Sequence, residues 1–564
     1  MTAERAWWKE AVVYQIYPRS FNDSDGDGIG DLQGVIERLD HVADLGADVI
    51  WLNPVYESPQ MDNGYDISDY RAIHEEFGTM ADWEDLLEEV HDRDMRLVMD
   101  LVVNHTSNQH AWFRKSRERD PAYEDYYIWR EGGTDEHGDP VPPNNWESFF
   151  GGSAWAFDQE RGEYYLHLYD RSQPDLDWTN EAVRRDVFDV VQWWLEKGID
   201  GFRMDVINLL SKGEGMPDGD PDGEWIGSEH FINGPELYGY LDDLDDETLS
   251  NYDVMTVGEM PQLTVEAARK YAGADGPLDM AFHFQHTKLD YADGERWSIG
   301  DWVLRDLKEI TARWQHGLAD DGWNALYWEN HDQPRSVSRY GDPDEYRRES
   351  AKLLGTYLFT LQGTPYLYQG QELGMTNATW DSMGDLRDVD AINHAEELLE
   401  REGVDGYDDL KDVVGYRTRD NARTPMQWSD DENAGFTDGE PWIQVNRNYT
   451  DINAAAQRSD EDSVYNYYRR LIELREERDV LVYGDYTDLL PDHETVFAYT
   501  RSLESDEGTA RALVVLHFSD EADSVELPVE YREASLLLSN YDRTDPEPAS
   551  PSLAPYEARV YELR

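Results

Sequence analysis

Arg203 and Asp205 stand two residues apart in the run GFRMDV, and Glu259 lies near the end of the apolar run VMTVGEM. Alternate residues of a strand share a face, so the Arg203 guanidinium and the Asp205 carboxylate point the same way. A cation there favours an ionised Asp205, the state a nucleophile needs. The apolar residues before Glu259 favour a carboxyl that keeps its proton for donation. Two carboxyl groups in unlike settings suffice for acetal cleavage. One protonates the leaving oxygen while the other meets the oxocarbenium-like carbon. Asp100, Asn104 and His105 mark the end of another apolar run, RLVMDLVV, while His331 and Asp332 follow NALYWEN. Four run ends bearing carboxylate, histidine or arginine point to one shared site. No Ser stands in a nucleophile-elbow context and the chain has no Cys, so acyl transfer and thiolate chemistry lack a candidate.

These run ends need a scaffold that gathers them. Eight short apolar runs recur: AVVYQIY, VIWLNPV, RLVMDLVV, GFRMDV, VMTVGEM, MAFHF, NALYWEN and PYLYQG. Most alternate with helical patterns. Strands apolar on both faces signal a buried parallel sheet, and eight such units signal an α/β fold of the (β/α)8 TIM-barrel type, with its site at the C-terminal strand ends. An open doubly wound sheet is the competing architecture, but no Gly-rich phosphate turn follows the first run. The third and fourth runs are about a hundred residues apart, far more than a crossover needs. The barrel is therefore expected over 1–103 and 176–480, with an inserted domain over 104–175 and a second excursion near 373–445. The helix SVYNYYRRLIELREER (463–478) closes the alternation. Beyond it, TVFAYTRSL, ARALVVLHFS, DSVELPVEY, ASLLLSNY and EARVYELR read as a C-terminal antiparallel β-sandwich over 481–564.

Composition narrows the partners. With 49 Lys+Arg against 121 Asp+Glu, the net charge is −72. Such a surface repels nucleic acid and anionic membranes, and in dilute solution it repels itself. Molar salt shortens the Debye length to roughly 3 Å and removes that penalty, so adaptation to concentrated salt is expected. The N-terminus shows no basic segment followed by an apolar run, and no stretch of about 18 apolar residues occurs. A cytoplasmic enzyme, monomeric or weakly self-associating, acting on a small oligosaccharide is the expected class. The 20 Trp and 35 Tyr suit sugar binding as well as cores.

DLVVNHTS (100–107), GFRMDVIN (201–208), VGEM (257–260) and ENHDQPR (329–335) resemble the four signature regions of the α-amylase superfamily, glycoside hydrolase family 13. QPDLDW (173–178) resembles the fifth region of its oligo-1,6-glucosidase subgroup, and the similarity runs from Trp7 to at least Trp442. The resemblance implies Asp205 as nucleophile, Glu259 as acid/base and Asp332 as the third carboxylate, which stabilises the transition state. It implies that His105 and His331 bind the glucosyl unit and that Arg203 orients Asp205. It also implies retention of anomeric configuration through a covalent glucosyl-enzyme, with no organic cofactor.

Further segments bear on substrate and metal. DNGYDISDY (62–70) resembles the sugar-recognition loop of α-glucosidases. There Asp62 would pair with Arg419 or Arg423, Arg419 being preferred, to seal the pocket behind the 4-hydroxyl, and Tyr65 would stack on glucose. A sealed pocket gives exo action. Val206, after the nucleophile, goes in related enzymes with α-1,6 preference. Trehalose-6-phosphate hydrolases share much of the pattern, but no basic cluster for a phosphate stands out. Sucrose isomerases carry an Arg-Asp motif where this chain has RSVSRYGD (335–342). Transglucosylation shares the same intermediate. A non-catalytic sugar-binding subunit is disfavoured because both catalytic carboxylates are present. Finally, NDSDGDGIGDLQG (22–34) begins like a calcium loop but has Gly34 where an EF-hand has Glu. Asp23, Asp25, Asp27, the Ile29 carbonyl and Asp31 are the expected ligands of a structural Ca2+ or Mg2+.

Overall fold

Each of the eight apolar runs becomes a strand of one parallel sheet. In this computed structural model the described residues are 5–135, 137–138, 140–400, 404–506, 508–543 and 547–564. The first four residues, where the reading of the N-terminus begins, lie outside them. The strands are β1 (Val13–Ile16), β2 (Val49–Leu52), β3 (Arg96–Leu101), β4 (Gly201–Met204), β5 (Met255–Glu259), β6 (Met280–Phe282), β7 (Ala325–Leu326) and β8 (Thr364–Tyr368). Their order is β6-β5-β4-β3-β2-β1-β8-β7, all pairs parallel. A single parallel bridge, Ala281 to Asn324, joins the two ends and closes the barrel. A principal helix follows each strand, with shorter helices also in several connections: α1 (Leu32–Leu45), α2 (Met80–His91), α3 (Glu181–Lys197), α4 (Leu237–Glu247), α5 (Val265–Ala272), α6 (Leu304–Leu318), α7 (Arg347–Thr360) and α8 (Val464–Glu476).

The strand pleat sorts the side chains. Val13, Val49, Trp51, Val98, Met255, Val257, Met280, Phe282 and Tyr366 fill the barrel interior as one apolar cluster. Their alternates, such as Tyr14, Ile50, Leu97, Phe202 and Leu367, join the layer under the helices. Gly201 opens β4 because a Cβ there would lie 2.0 Å from the Met255 carbonyl oxygen. Helix starts are fixed by side-chain caps: Asp31 accepts from Gly34 N at α1, Thr79 and Asp82 form a capping box at α2, and Asn180 accepts from Ala182 N at α3.

The segment between β3 and α3 carries a three-stranded antiparallel sheet, with Glu163–Leu166 between Trp129–Arg130 and Trp155–Asp158. The C-terminal part is a five-stranded antiparallel sheet in the order 485–488, 496–505, 508–517, 558–563, 534–539. A two-stranded ribbon, Asp523–Ser524 with Ser552–Leu553, accompanies it, and Val525, Leu527 and Leu553 pack on Val496, Leu513 and Val515. Phe497, Tyr499, Val514 and Leu516 on the other face join the core beneath α7. DSVELPVEY, expected as a full strand, forms a regular ladder at its first two residues, after which Val525 N and Leu527 N still donate to the Pro551 and Ala549 carbonyls. Pro528 has no N–H to give a ladder. Among the described residues no helix is long and apolar enough to cross a membrane.

Candidate active site

The strand register builds the site. Arg203 on β4 lies opposite Asp100 on β3 and Val257 on β5. Neighbours in a parallel ladder share a face, and so do residues two further along. Asp100, Arg203, Asp205 and Glu259 therefore all project into the barrel mouth. Arg203 Nη1 donates to Asp100 Oδ1 at 2.5 Å and to Asp205 Oδ1 at 2.7 Å, and Nη2 donates to Glu259 Oε2 at 2.5 Å. Its guanidinium lies over the Trp51 ring at 5.1 Å. Val206, next after Asp205, holds φ at 37°, a costly conformation for a β-branched residue. That sharp turn aims its N–H at Glu259 Oε2, 3.2 Å away. Its side chain packs with Leu166, Leu209 and Phe231.

One guanidinium thus serves three buried carboxylates. Arg203 was expected to hold Asp205 ionised. Instead, burial together with the charges of Glu259 and Asp100 outweighs Arg203 and pushes Asp205 well above the carboxylate range. Burial likewise lifts Asp100 to about 6 against the pull of Arg203. Adjacent carboxyls titrate as a unit.

A second arginine repeats the pattern at the rim. Arg419 Nε donates to Asp388 Oδ1 at 2.7 Å, while its Nη groups reach Asp62 Oδ1 at 3.3 Å and Asp332 Oδ1 at 3.4 Å. Arg419 is thus the partner of Asp62, and Arg423 instead holds Asp332 Oδ1 at 2.8 Å. Burial lifts Asp62 to about 7 despite Arg419 and Arg423. Burial pushes Asp332 the same way, but His331, Arg419, Arg423 and Arg203 prevail and hold it far below the usual range. His331 accepts from Gln15 Nε2 at Nδ1 (2.9 Å), which leaves its proton on Nε2, 3.2 Å from Asp332 Oδ2. Burial lowers His331 to about 3 and His105 to about 4, so both rings are neutral.

Tyr65 stacks on His331 with ring centroids 5.2 Å apart and planes 7° apart, and its hydroxyl accepts from Asn53. Several site residues escaped the sequence reading. Phe150, from the inserted segment, lies 5.0 Å under the Arg419 guanidinium, and Tyr169 lies 5.4 Å from His105. Burial and the charges of Glu259 and Asp205 push the Tyr169 phenol up. Gln173 Nε2 donates to Asp62 Oδ2. Only Gln173 had a signal, since it opens QPDLDW. The others sit in loops whose sequences carry no chemical signature, and Asp388 reads simply as the N-cap of Val389–Leu399.

In the loop after β1, one carboxylate oxygen each of Asp23, Asp25 and Asp27 come within 4.8 Å of one another. Asp23 is oriented by donors from Asp25 N, Gly26 N, Gly28 N and Thr437 Oγ1. Ile29 N donates to Asp27. An all-oxygen set of this kind fits a hard divalent cation. Asp31 stands outside this trio: its carboxylate accepts from Ser24 and caps α1.

Comparison with known proteins accords with this geometry. A family model for the α-amylase catalytic domain matches residues 15–484. The oligo-1,6-glucosidase of Parageobacillus thermoglucosidasius is 51% identical, covering 100% of both chains. The trehalose-6-phosphate hydrolase of Bacillus subtilis (strain 168) is 47% identical, covering 100% of this chain and 99% of its own. Among solved structures, isomaltulose synthase from Klebsiella sp. LX3 superposes with TM-score 0.94 at 42% identity, over 99% of this chain and 100% of its own. The match, the eight-stranded barrel and the carboxylates gathered at its mouth agree: this chain belongs to the α-amylase family of glycoside hydrolases.

Proposed function

We propose that the chain is an exo-acting, retaining α-glucosidase that releases glucose from the non-reducing end of short α-1,6- or α-1,4-glucosides. The observation that carries this reading is the shared hold of Arg203 on Asp205 and Glu259 from neighbouring strands. Glu259 gives its proton to the glycosidic oxygen as Asp205 bonds to the anomeric carbon. Glu259 then takes a proton from water, which displaces Asp205 with a second inversion. Asp332, kept ionised by Arg423 and Arg419, and the neutral His105 and His331 hold the sugar hydroxyls. The Asp62–Arg419 pair supports exo action, because it closes the pocket behind the terminal glucose. Val206 favours isomaltose-type substrates.

The 47% identical relative favours trehalose-6-phosphate hydrolysis as a second reading. Against it, the two cations of the loop after β6 already have carboxylate partners, Arg296 with Asp390 and Lys288 with Glu224. Isomerisation is weakened too, since Arg335 and Arg339 of the 335–342 stretch are buried against Glu329 and Asp290. The Asp23, Asp25 and Asp27 loop would hold Ca2+ or Mg2+ as a structural ion. The charge of −72 supports an enzyme that works in concentrated salt, and a cytoplasmic location is part of the same proposal.

Glucose release from isomaltose, maltose and trehalose-6-phosphate, compared in about 2 M KCl to screen the surface, tests the reading. Isomaltose should be preferred. Maltose preferred would keep the mechanism and remove the Val206 argument. Release from trehalose-6-phosphate alone would replace the proposal with the second reading. Full activity after dialysis into dilute buffer would reject the adaptation to salt.

A further inference from the structure

We propose that Lys212 is a positioning residue for the glucosyl pocket: acting through Asn104, it fixes the tautomer of His105 so that Nε2–H is the donor offered to the sugar. The sugar's presence rests on the α-glucosidase reading, whereas the tautomer does not. Lys212 lies in the connection from β4 to α4, and its side chain is only 2% exposed. Nζ is 2.8 Å from Asn104 Oδ1 and 2.7 Å from Asp175 Oδ2. An ammonium group can only donate. Asn104 must therefore turn its oxygen to Lys212, and its Nδ2 faces Asp175 Oδ2 at 3.2 Å and His105 Nδ1 at 3.3 Å. An amide NH2 also only donates, so His105 Nδ1 accepts and the ring proton sits on Nε2.

The two contacts of His105 Nε2 divide. Nε2 lies 3.2 Å from the Tyr65 carbonyl oxygen, an acceptor. Gln173 Nε2 is equally near, at 3.2 Å. Its amide is oriented by Oε1 accepting from Asp170 N and by Nε2 donating to Asp62, so it too offers N–H and pulls against a protonated Nε2, whereas Asn104 on the far side of the ring and the Tyr65 carbonyl both favour it. Three parts of the chain meet here: the end of β3, the exit from the inserted segment and the loop after β4. The charged groups facing the ring are Asp175, which favours imidazolium, and Lys212, which opposes it. The uncharged Tyr169 phenol is the remaining titratable neighbour, 5.4 Å away.

The test uses Lys212→Met and Asn104→Asp in the full chain, each first checked for a cooperative melt. Lys212→Met leaves Asp175 facing His105 without its cation. Asn104→Asp keeps a partner for Lys212 but puts a proton acceptor at Nδ1. In both, kcat/KM for isomaltose should fall about 10- to 100-fold, and its acid limb should move up by about one pH unit. A role confined to holding the segments together would lower activity and leave the limb where it is, and that result overturns the proposal. Imidazole 15N spectra, assigned with His105→Gln, read the tautomer without turnover. Protonated Nε2 and bare Nδ1 are expected in the wild-type protein, and the reverse pattern overturns the proposal whatever the substrate. Wild-type protein that releases no glucose from any α-glucoside would overturn the functional reading alone.

Discussion

β4 and α4 belong to one βα unit and treat their carboxylates in opposite ways. At the end of β4, Asp205 is buried and bonded to Arg203, which also holds Asp100 and Glu259. On α4, Leu237, Tyr240, Leu241 and Leu244 face the core. Asp242, Asp243, Asp246 and Glu247 face solvent, and LYGYLDDLDDE contains no Lys or Arg. Partial burial and the charges of Asp246 and Asp242 push Asp245 up. In the barrel mouth, fixed cations must balance charge, because desolvation penalises whatever they leave unpaired. On the helix, water and dissolved ions do that work, so the arrangement depends on the solution.

The sharpest way to break this contrast is to neutralise the two kinds of carboxylate in turn. Asp205→Asn should lower kcat by about 10^4-fold or more while the protein still melts cooperatively, measured on isomaltose. Asp243→Asn on α4 should leave kcat within twofold. Arg203→Met comes next in size. It strands three buried carboxyls, and loss of one partner of a buried ion pair costs about 3–5 kcal/mol. Its denaturation midpoint should fall accordingly at pH 7. The loss should shrink toward pH 4, where Asp100, held at about 6, is protonated and no longer needs the cation. An equal loss at both values would show that Arg203 acts by packing alone.

The sequence carried the β4 half of this contrast well. GFRMDV and VMTVGEM named both catalytic candidates, because strand periodicity fixes which residues share a face. Barrel register then placed Arg203 between them. What strand periodicity could not show is the electrostatic balance at Asp205, because a pKa depends on how many charges converge. Asp100 and Glu259 reach Arg203 across strands 103 and 56 residues away in sequence. Phe150, Tyr169 and Asp388 stayed invisible for a related reason: each enters from a loop and touches the site only through tertiary contact. Asp31, expected as a ligand, also caps the start of α1, a role that the spacing of the acids did not show. DSVELPVEY had a strand's alternation, and its backbone bonds to the facing segment run as far as Leu527 and end at Pro528, which has no N–H to give.

Asp62 sharpens the contrast at intermediate size, because it is buried like Asp205 and, like it, shares its cation with two other acids, here at the rim of the site. Its value in the folded protein is about 7, against an ordinary 3.8. A raised value means that its contribution to stability is fully present below about 3.8 and is lost as the pH rises through about 7. Asp62→Asn should therefore melt a few degrees higher than wild type at pH 8 and show no advantage at pH 4. The same change removes one anionic partner that holds Arg419 at the rim of the site, so KM for isomaltose should rise about tenfold with a smaller change in kcat. An unchanged KM would detach the Asp62–Arg419 pair from substrate binding.

The smallest effect probes the surface side of the contrast. Asp242 and Asp246 are four residues apart on α4, and like charges at that spacing cost an isolated helix about 0.2–0.5 kcal/mol. Asp246→Lys turns the repulsion into an attraction, with the acid on the N-terminal side where it is the better arrangement. It also puts a cation in the last turn of Leu237–Glu247, where the helix dipole favours positive charge. Together these should stabilise the protein by about 1 kcal/mol in dilute buffer. In 2 M KCl, where the Debye length is below about 3 Å, the gain should fall toward zero. A gain that persisted in concentrated salt would mean that Asp246 is constrained by a local contact and that α4 is not a solvent-balanced surface.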